Sequence, residues 1–296
     1  MLDCIVAGDV NLDLLMDGVL TLEAGKEKRA TRMNLLLGGS SSITAFNLAS
    51  LGARVGFAGI VGRDAFCEIV EHRLASVGVD LTHLRRHPTE QTGLTIWHSL
   101  RHQRAGVTYP GTIALLRARD LPLSYLRTAR HLHVGCFYFL LDLQKELPKL
   151  FQKAKRMGLT TSLDCNYDPS EIWDSGIRDV LRWTDIFFPN RQEALALTGS
   201  KSEVQAARIL GTLAGTVAIK LGSRGAYIYR GEEAFRVPSK KVKVVDTTGA
   251  GDSFNAGFLA RFLKGGNLRQ CALAGTAAGA RCVQGIGGTT AFEKRP

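Results

Sequence analysis

Short apolar runs of strand length alternate with helical stretches along most of this chain, and that alternation constrains its fold more than any other feature. Leu2 to Ala7 reads as a buried strand, Ser41 to Leu51 as a helix ended by Gly52, and Val55 to Ile60 as the next strand. Ala65 to Val77 is helical and stops at Gly78. Further strands are expected at His131 to Val134, Thr160 to Asp164, Ile186 to Pro189 and Val217 to Lys220. Helices are expected at Leu143 to Met157, Ile177 to Trp183, Gln192 to Thr198 and Ser202 to Leu213. Strands apolar on both faces and separated by helices form a mostly parallel sheet covered by helices on each side. A hairpin, Ala226 to Arg230 and Ala234 to Val237, and two long small-residue helices complete the C-terminal part.

Two segments break the rhythm. Asn11 to Leu37 and Thr92 to Thr108 alternate apolar and polar residues with no helix between them, as in Leu94-Thr95-Ile96-Trp97-His98. They read as antiparallel strands projecting from the main sheet, an excursion suited to a lid. The expectation is one α/β domain over residues 1–296, three-layered, with a β lid from about 12–37 and 92–110.

Composition narrows the class. With 45% hydrophobic and 22% charged residues the chain has enough apolar material for a core, which excludes a disordered protein. The longest apolar stretch, Val134 to Leu141, is far short of the about 20 residues that cross a bilayer, so no membrane partner is expected. The N-terminus does not read as a signal peptide. Six cysteines without a Cys-x-x-Cys pair read as reduced core residues of a cytoplasmic protein.

The formal net charge of +11 is unevenly spread. Residues 81–130 hold eight arginines (Arg85, Arg86, Arg101, Arg104, Arg117, Arg119, Arg127, Arg130) against Glu90 and Asp120. Nucleic-acid binding is not expected, because Trp97 and Tyr109 are too few for a base-stacking platform. Two readings stay open: Arg101, Arg104 and His102 face an anionic acceptor, or the charge is a solvated outer face.

The most informative stretch is Asp246-Thr247-Thr248-Gly249-Ala250-Gly251-Asp252-Ser253-Phe254, after the strand-like Val242-Lys243-Val244-Val245 and before a helical run to Leu263. A Gly-Ala-Gly turn opening a helix gathers unpaired N–H groups and the positive end of the helix dipole, which attracts an anion such as phosphate. Asp252, in the first turn, suits a general base that takes a proton from an attacking hydroxyl, or it merely complements the dipole. The spacing matches neither a dinucleotide-binding loop nor a P-loop.

That stretch resembles the C-terminal signature of the ribokinase-like (PfkB) carbohydrate kinase family, and four more landmarks follow the family's order. These are Gly8-Asp9-Val10-Asn11-Leu12-Asp13, Gly38-Gly39 before a helix, Asn190-Arg191-Gln192-Glu193, and Lys220-Leu221-Gly222-Ser223-Arg224-Gly225. The resemblance implies an ATP-dependent kinase phosphorylating a sugar hydroxyl, with Asp252 as base and Gly249, Ala250 and Gly251 as an anion hole for the phosphoryl group. It assigns the acceptor sugar to Asp9, Asn11, Asp13, Gly38, Gly39 and Ser42, and ATP to Asn190, Glu193, Lys220, Gly222, Ser223, Gly225 and Thr276. Mg²⁺ would be organised by Asn190, Glu193 and Asp164. A monovalent cation, K⁺, would sit by Asp246, Thr248, Cys282, Gly285 and Gly287, and a homodimer would form through the lid.

Several of these residues carry a second reading. Asn190 is also a helix N-cap, Asp9 a loop-capping carboxylate, Gly38-Gly39 an ordinary turn capped by Ser40 to Ser42, and Asp164 and Asn166 caps of a strand end. Three positions depart from the family, among them Thr276, which stands where relatives often have Asn beside the adenine. Ile43 stands where many relatives have Asn, for which Ser42 or Asn47 would have to compensate, and Asp168 stands where fructokinase and 2-keto-3-deoxygluconate kinase relatives often have Arg. The first candidate acceptor is a fructose-like neutral hexose, with a sugar acid or nucleoside as the alternative.

Overall fold

The computed structural model describes residues 1–19, 21–100 and 103–293. Nine strands form the main sheet: β1 (Cys4–Ala7), β4 (Val55–Val61), β5 (Asp80–Arg86), β8 (His131–Val134), β9 (Thr160–Leu163), β10 (Ile186–Phe187), β11 (Thr216–Lys220), β12 (Ala226–Arg230) and β13 (Glu233–Val237). Their spatial order is β13-β12-β11-β10-β9-β8-β1-β4-β5, parallel from β5 through β11 and antiparallel in the final hairpin. The remaining four strands, β2 (Asn11–Asp17), β3 (Arg32–Gly38), β6 (Gly93–Leu100) and β7 (Gln103–Tyr109), make a separate sheet in the order β3-β2-β6-β7.

Alternation along each strand sends apolar side chains to both faces. Ile5 and Ala7 of β1 join one buried cluster with the helices α3 (Leu123–Leu126), α4 (Leu141–Gln144), α5 (Leu147–Arg156), α6 (Ile177–Leu181), α7 (Arg191–Thr198) and α8 (Glu203–Leu210). Cys4 and Val6 join the other, with α1 (Ser40–Ser50), α2 (Ala65–Ala75), α9 (Ala250–Phe262) and α10 (Leu268–Cys282). The chain is thus three layers, helix, sheet and helix.

Four local readings are corrected. Leu143 to Met157 is not one helix: Pro148, in the first turn of α5, has no N–H to continue the ladder of α4. Strand β5 lies at the sheet edge, where no apolar run is required, and its Asp-Leu-Thr-His-Leu-Arg-Arg sequence hid it. Val242 to Val245 forms no strand; it is largely exposed, and Val245 N–H bonds to the Val283 carbonyl at 2.7 Å, beyond the end of α10. In the small sheet β2–β3 and β6–β7 are antiparallel, but β2 and β6 pair in parallel.

Candidate active site

In parallel α/β sheets the carboxyl ends of the strands and the amino ends of the following helices converge on one edge, where ligands bind. Here Asp9, Cys136, Asp164 and Lys220 lie at the ends of β1, β8, β9 and β11, facing the start of α9. Two cavities of about 530 Å³ each open there. Gly249 and Asp252 line the first, Ala250 and Gly251 the second, and Thr247 both. The amino end of α9 therefore forms the wall between them.

Gly249 is left-handed, with φ 70°, and a Cβ there would overlap the Gly288 backbone. No side chain caps α9, and apart from the Ala250 N–H, which bonds the Thr247 carbonyl at 3.3 Å, the N–H groups of Gly251 and Asp252 in its first turn remain available to an anion. Asp252 accepts a hydrogen bond from the Ser40 hydroxyl on Oδ1. Burial, with Asp164 nearby, pushes its pKa up to about 7 against the opposing pull of Ser40 and Lys220.

Behind Asp252 lies a buried charge cluster. Lys220 Nζ donates to Asp164 Oδ2 at 2.5 Å, and Asn255 Nδ2 donates to the same oxygen. Burial alone would lower the Lys220 pKa, but Asp164 and Glu193 outweigh it and hold it above the ordinary lysine value. Glu193 is pushed upward by burial, with Asp164 adding to the shift and Lys220 opposing it. Ligand atoms of Asp164, Cys165 and Glu193 lie within 4.8 Å of one another. Two carboxylates, Asp164 and Glu193, share one ammonium, and they offer the oxygen donors that Mg²⁺ prefers.

The first cavity brings together Asp9, Asn11, Asp13 and Gly39 of the expected acceptor set. Asn11 and Asp13 face it side by side from β2; Asn11 Nδ2 donates to Thr95 Oγ1 at 2.8 Å, and its Oδ1 is buried without a partner. Asp9 is committed elsewhere, accepting the N–H groups of Ser40 at 2.7 Å and Ser41 at 2.8 Å, so it caps α1 from the loop between β1 and β2. Ser42 does not line the cavity: its hydroxyl donates to the carbonyls of Gly38 and Gly39. A Cβ on Gly38 would collide with the Asp13 carboxylate, so this glycine makes room for the side chain that lines the cavity. Asn47 donates to Ser253 Oγ and the Gly288 carbonyl, both at 2.9 Å, and compensates for nothing at Ile43, which presents an apolar wall.

The second cavity holds Lys220, Gly222, Ser223, Gly225 and Thr276 of the expected nucleotide set. Thr276 spends its hydroxyl on the Leu273 carbonyl. Asn190 lines neither cavity and Glu193 lines the first. The two form a reciprocal capping box, Glu193 N–H to Asn190 Oδ1 at 2.9 Å and Asn190 N–H to Glu193 Oε2 at 2.7 Å. Asp246 ties two loops together, accepting Thr248 Oγ1 at 2.7 Å and Gly287 N–H at 2.7 Å. The carbonyls of Thr248, Gly287 and Gly288 converge on the Cys282 thiol, whereas Gly285 packs toward Thr290 and Ala291.

Asp168 is an organiser of its own loop, accepting from Ser170 N, Ser170 Oγ and Trp173 N at 2.9, 2.7 and 2.6 Å. Arg85, Arg117 and Arg130 pair with Asp120, Asp142 and Asp3 away from the cavities, and Arg86 with Glu71. Arg101 and His102 lie outside the described residues, as does the side chain of Arg104. Sequence reasoning missed Ser40, Thr95, Thr108, Trp97 and Tyr167 around the first cavity and Asn255 behind it. Only Asn255 carried a signal: it stands three residues after Asp252, on the same face of α9.

The description of the pfkB family of carbohydrate kinases matches residues 1–295 of the chain. The chain is 34% identical over 265 residues to a 2-dehydro-3-deoxygluconokinase of Bacillus subtilis, spanning 85% of this chain and 82% of that protein. It is 29% identical over 270 residues to a fructokinase of Klebsiella pneumoniae, spanning 86% and 82%. The crystal structure of a putative Ribokinase II from E. coli in complex with ATP and Mg²⁺ superposes with a TM-score of 0.88 at 24% identity, over 99% of this chain and 96% of that one, a likeness of fold.

Proposed function

Because the chain belongs to the pfkB family of carbohydrate kinases, it is a phosphotransferase acting on a sugar hydroxyl, and we propose that its acceptor is a neutral, fructose-like sugar. The lining of the first cavity carries this reading. Asp9, Asp13, Glu193 and Asp252 contribute carboxylates, Asn11, Thr95, Thr108 and Asn166 neutral polar groups, and among the described residues no Lys or Arg. A sugar acid would bring its carboxylate against like charge, with no Lys or Arg among the described lining residues to receive it. A nucleoside is the second reading, favoured by Trp97 and Tyr167, whose rings both line this cavity. An ATP-consumption screen over fructose, aldoses, 2-keto-3-deoxygluconate and nucleosides tests the order: preferential turnover of the sugar acid would overturn it.

The two cavities divide the work. Lys220, Gly222, Ser223 and Gly225 receive ATP, and the uncapped start of α9 receives the transferring phosphoryl, whose oxygens gain charge in the transition state. Asn11 and Asp13 orient the sugar, and Asp252 takes the proton of its attacking hydroxyl. Asp164 and Glu193 would hold Mg²⁺, which when bound neutralises phosphate charge. Replacing Asp252 by Asn should lower kcat by about 10³-fold or more with ATP affinity nearly unchanged in calorimetry; a near-normal rate would remove the mechanism.

We also infer K⁺ activation, on the convergence of the Thr248, Gly287 and Gly288 carbonyls, checked by replacing K⁺ with Na⁺ in the assay. Six buried, unbridged cysteines suit the reducing cytoplasm. Among the described residues no helix is long and apolar enough to cross a membrane. Homodimerisation through the lid is supported by its outer face, where Leu14, Met33, Leu35, Ile96 and Val107 lie together by strand register.

A further inference from the structure

The carboxylate of Asp252 is held from one side. Among the described residues a single side chain hydrogen-bonds to it, the Ser40 hydroxyl on Oδ1. Ser40 is in turn fixed by the loop between β1 and β2: it is the first residue of α1, only 7% exposed, and its N–H donates to Asp9 Oδ2 at 2.7 Å. Asp9 clamps the next N–H, that of Ser41, with its other oxygen. Ser40 also lines the first cavity, between the acceptor groups and the helix start that carries Asp252.

This arrangement has a geometric consequence. The terminal torsion of an aspartate is broad and nearly two-fold, so an unrestrained carboxylate presents its oxygens over a range of directions. Proton abstraction needs one oxygen aimed at the acceptor hydroxyl, within about 2.6–3.2 Å. A hydroxyl donating to Oδ1 from an anchored backbone position fixes the plane of the carboxylate and leaves Oδ2 for the acceptor. When Oδ2 takes the acceptor's proton, Oδ1 keeps its donor, so no polar atom loses its partner during the step.

We propose that Ser40, anchored by Asp9, is a positioning residue for proton transfer, holding Oδ1 of Asp252 so that Oδ2 meets the acceptor hydroxyl. Asp9 thereby serves the reaction through the backbone of α1 and not by touching the sugar. The inference rests on Asp252 being the base.

The test is a set of variants assayed with ATP, Mg²⁺ and the best acceptor from the screen. Ser40→Ala should lower kcat about 10- to 100-fold, with KM for acceptor and ATP within about 3-fold of the parent. Ser40→Thr, which keeps the hydroxyl, should recover most of the loss. In an Asp252→Asn background, Ser40→Ala should leave the residual single-turnover rate and the acceptor affinity by calorimetry within about 2-fold, because there is no base left to position.

Three results would overturn the proposal. A raised acceptor KM with unchanged kcat would make Ser40 a sugar ligand. An equal loss in the Asp252→Asn background would make it scaffolding. A threonine variant no better than alanine, with an unchanged melting temperature, would exclude the hydroxyl as the acting group. If Asp252→Asn abolishes activity while Ser40→Ala is fully active, this inference alone fails; if Asp252→Asn is itself active, the assignment of the base fails first.

Discussion

Asp252 carries two costs that can be measured separately. A general base works only when ionised, and burial beside Asp164 has raised its pKa to about 7. The kcat/KM of the sugar kinase reaction should therefore rise as pH increases through about 7 and level off above it, a limb absent from Asp252→Asn. Stability should run the opposite way. The folded pKa lies above the ordinary 3.8, so the fold favours the protonated form; that contribution is complete below pH 3.8 and is lost as pH climbs through about 7. Asp252→Asn cannot ionise and should be more stable than the parent at pH 8, by on the order of 2 kcal/mol, with the gap closing toward pH 5 in thermal melts. Equal melting temperatures at pH 8 would mean that the carboxylate is not destabilised by its surroundings.

The elements were legible where one rule acted alone. Buried strands announced themselves as apolar runs, and Gly249 to Asp252 announced a helix start because unpaired N–H groups and a first-turn carboxylate leave a compact signature. Legibility failed where a neighbour decided. Val242 to Val245 alternates like a strand, yet its partner is the Val283 carbonyl beyond α10 and not a sheet edge. The di-glycine divides: Gly39 lines the first cavity, while Gly38 yields space to Asp13, from a strand paired 25 residues earlier in the chain. Asn190 shows both outcomes in one residue: the cap was visible in its spacing to Glu193, but its absence from both cavities was not. Asn190→Ala should cost about 1 kcal/mol in denaturant unfolding, since it opens the start of α7. A variant that lost activity at unchanged stability would instead favour a direct role at the phosphates.

At the scale of the molecule, the proposed dimer rests on the outer face of the small sheet. Met33 and Val107 are 67% and 63% exposed on its outer face, while Asn11, Asp13, Thr95 and Trp97 occupy its inner one. Introducing charge there, as Met33→Glu with Val107→Glu, should convert a dimer to a monomer in light scattering while leaving the fold intact by circular dichroism. A monomeric parent protein would end that reading. The way the lid is hung has a mechanical consequence. Its chain connections to the main sheet leave from the start of β2, the end of β3, the start of β6 and the end of β7, and register places all four at one end, beside Asn11, Gly38, Gly93 and Tyr109. The sheet is a cantilever clamped along a single edge. From Asn11 to Asp17 it extends about 20 Å, so a tilt of about 10° would carry the free edge about 3.5 Å while the sugar-facing clamp stays nearly still. Such a lever would admit and release a ligand by swinging its far edge, without disturbing the register of the groups assigned to the acceptor.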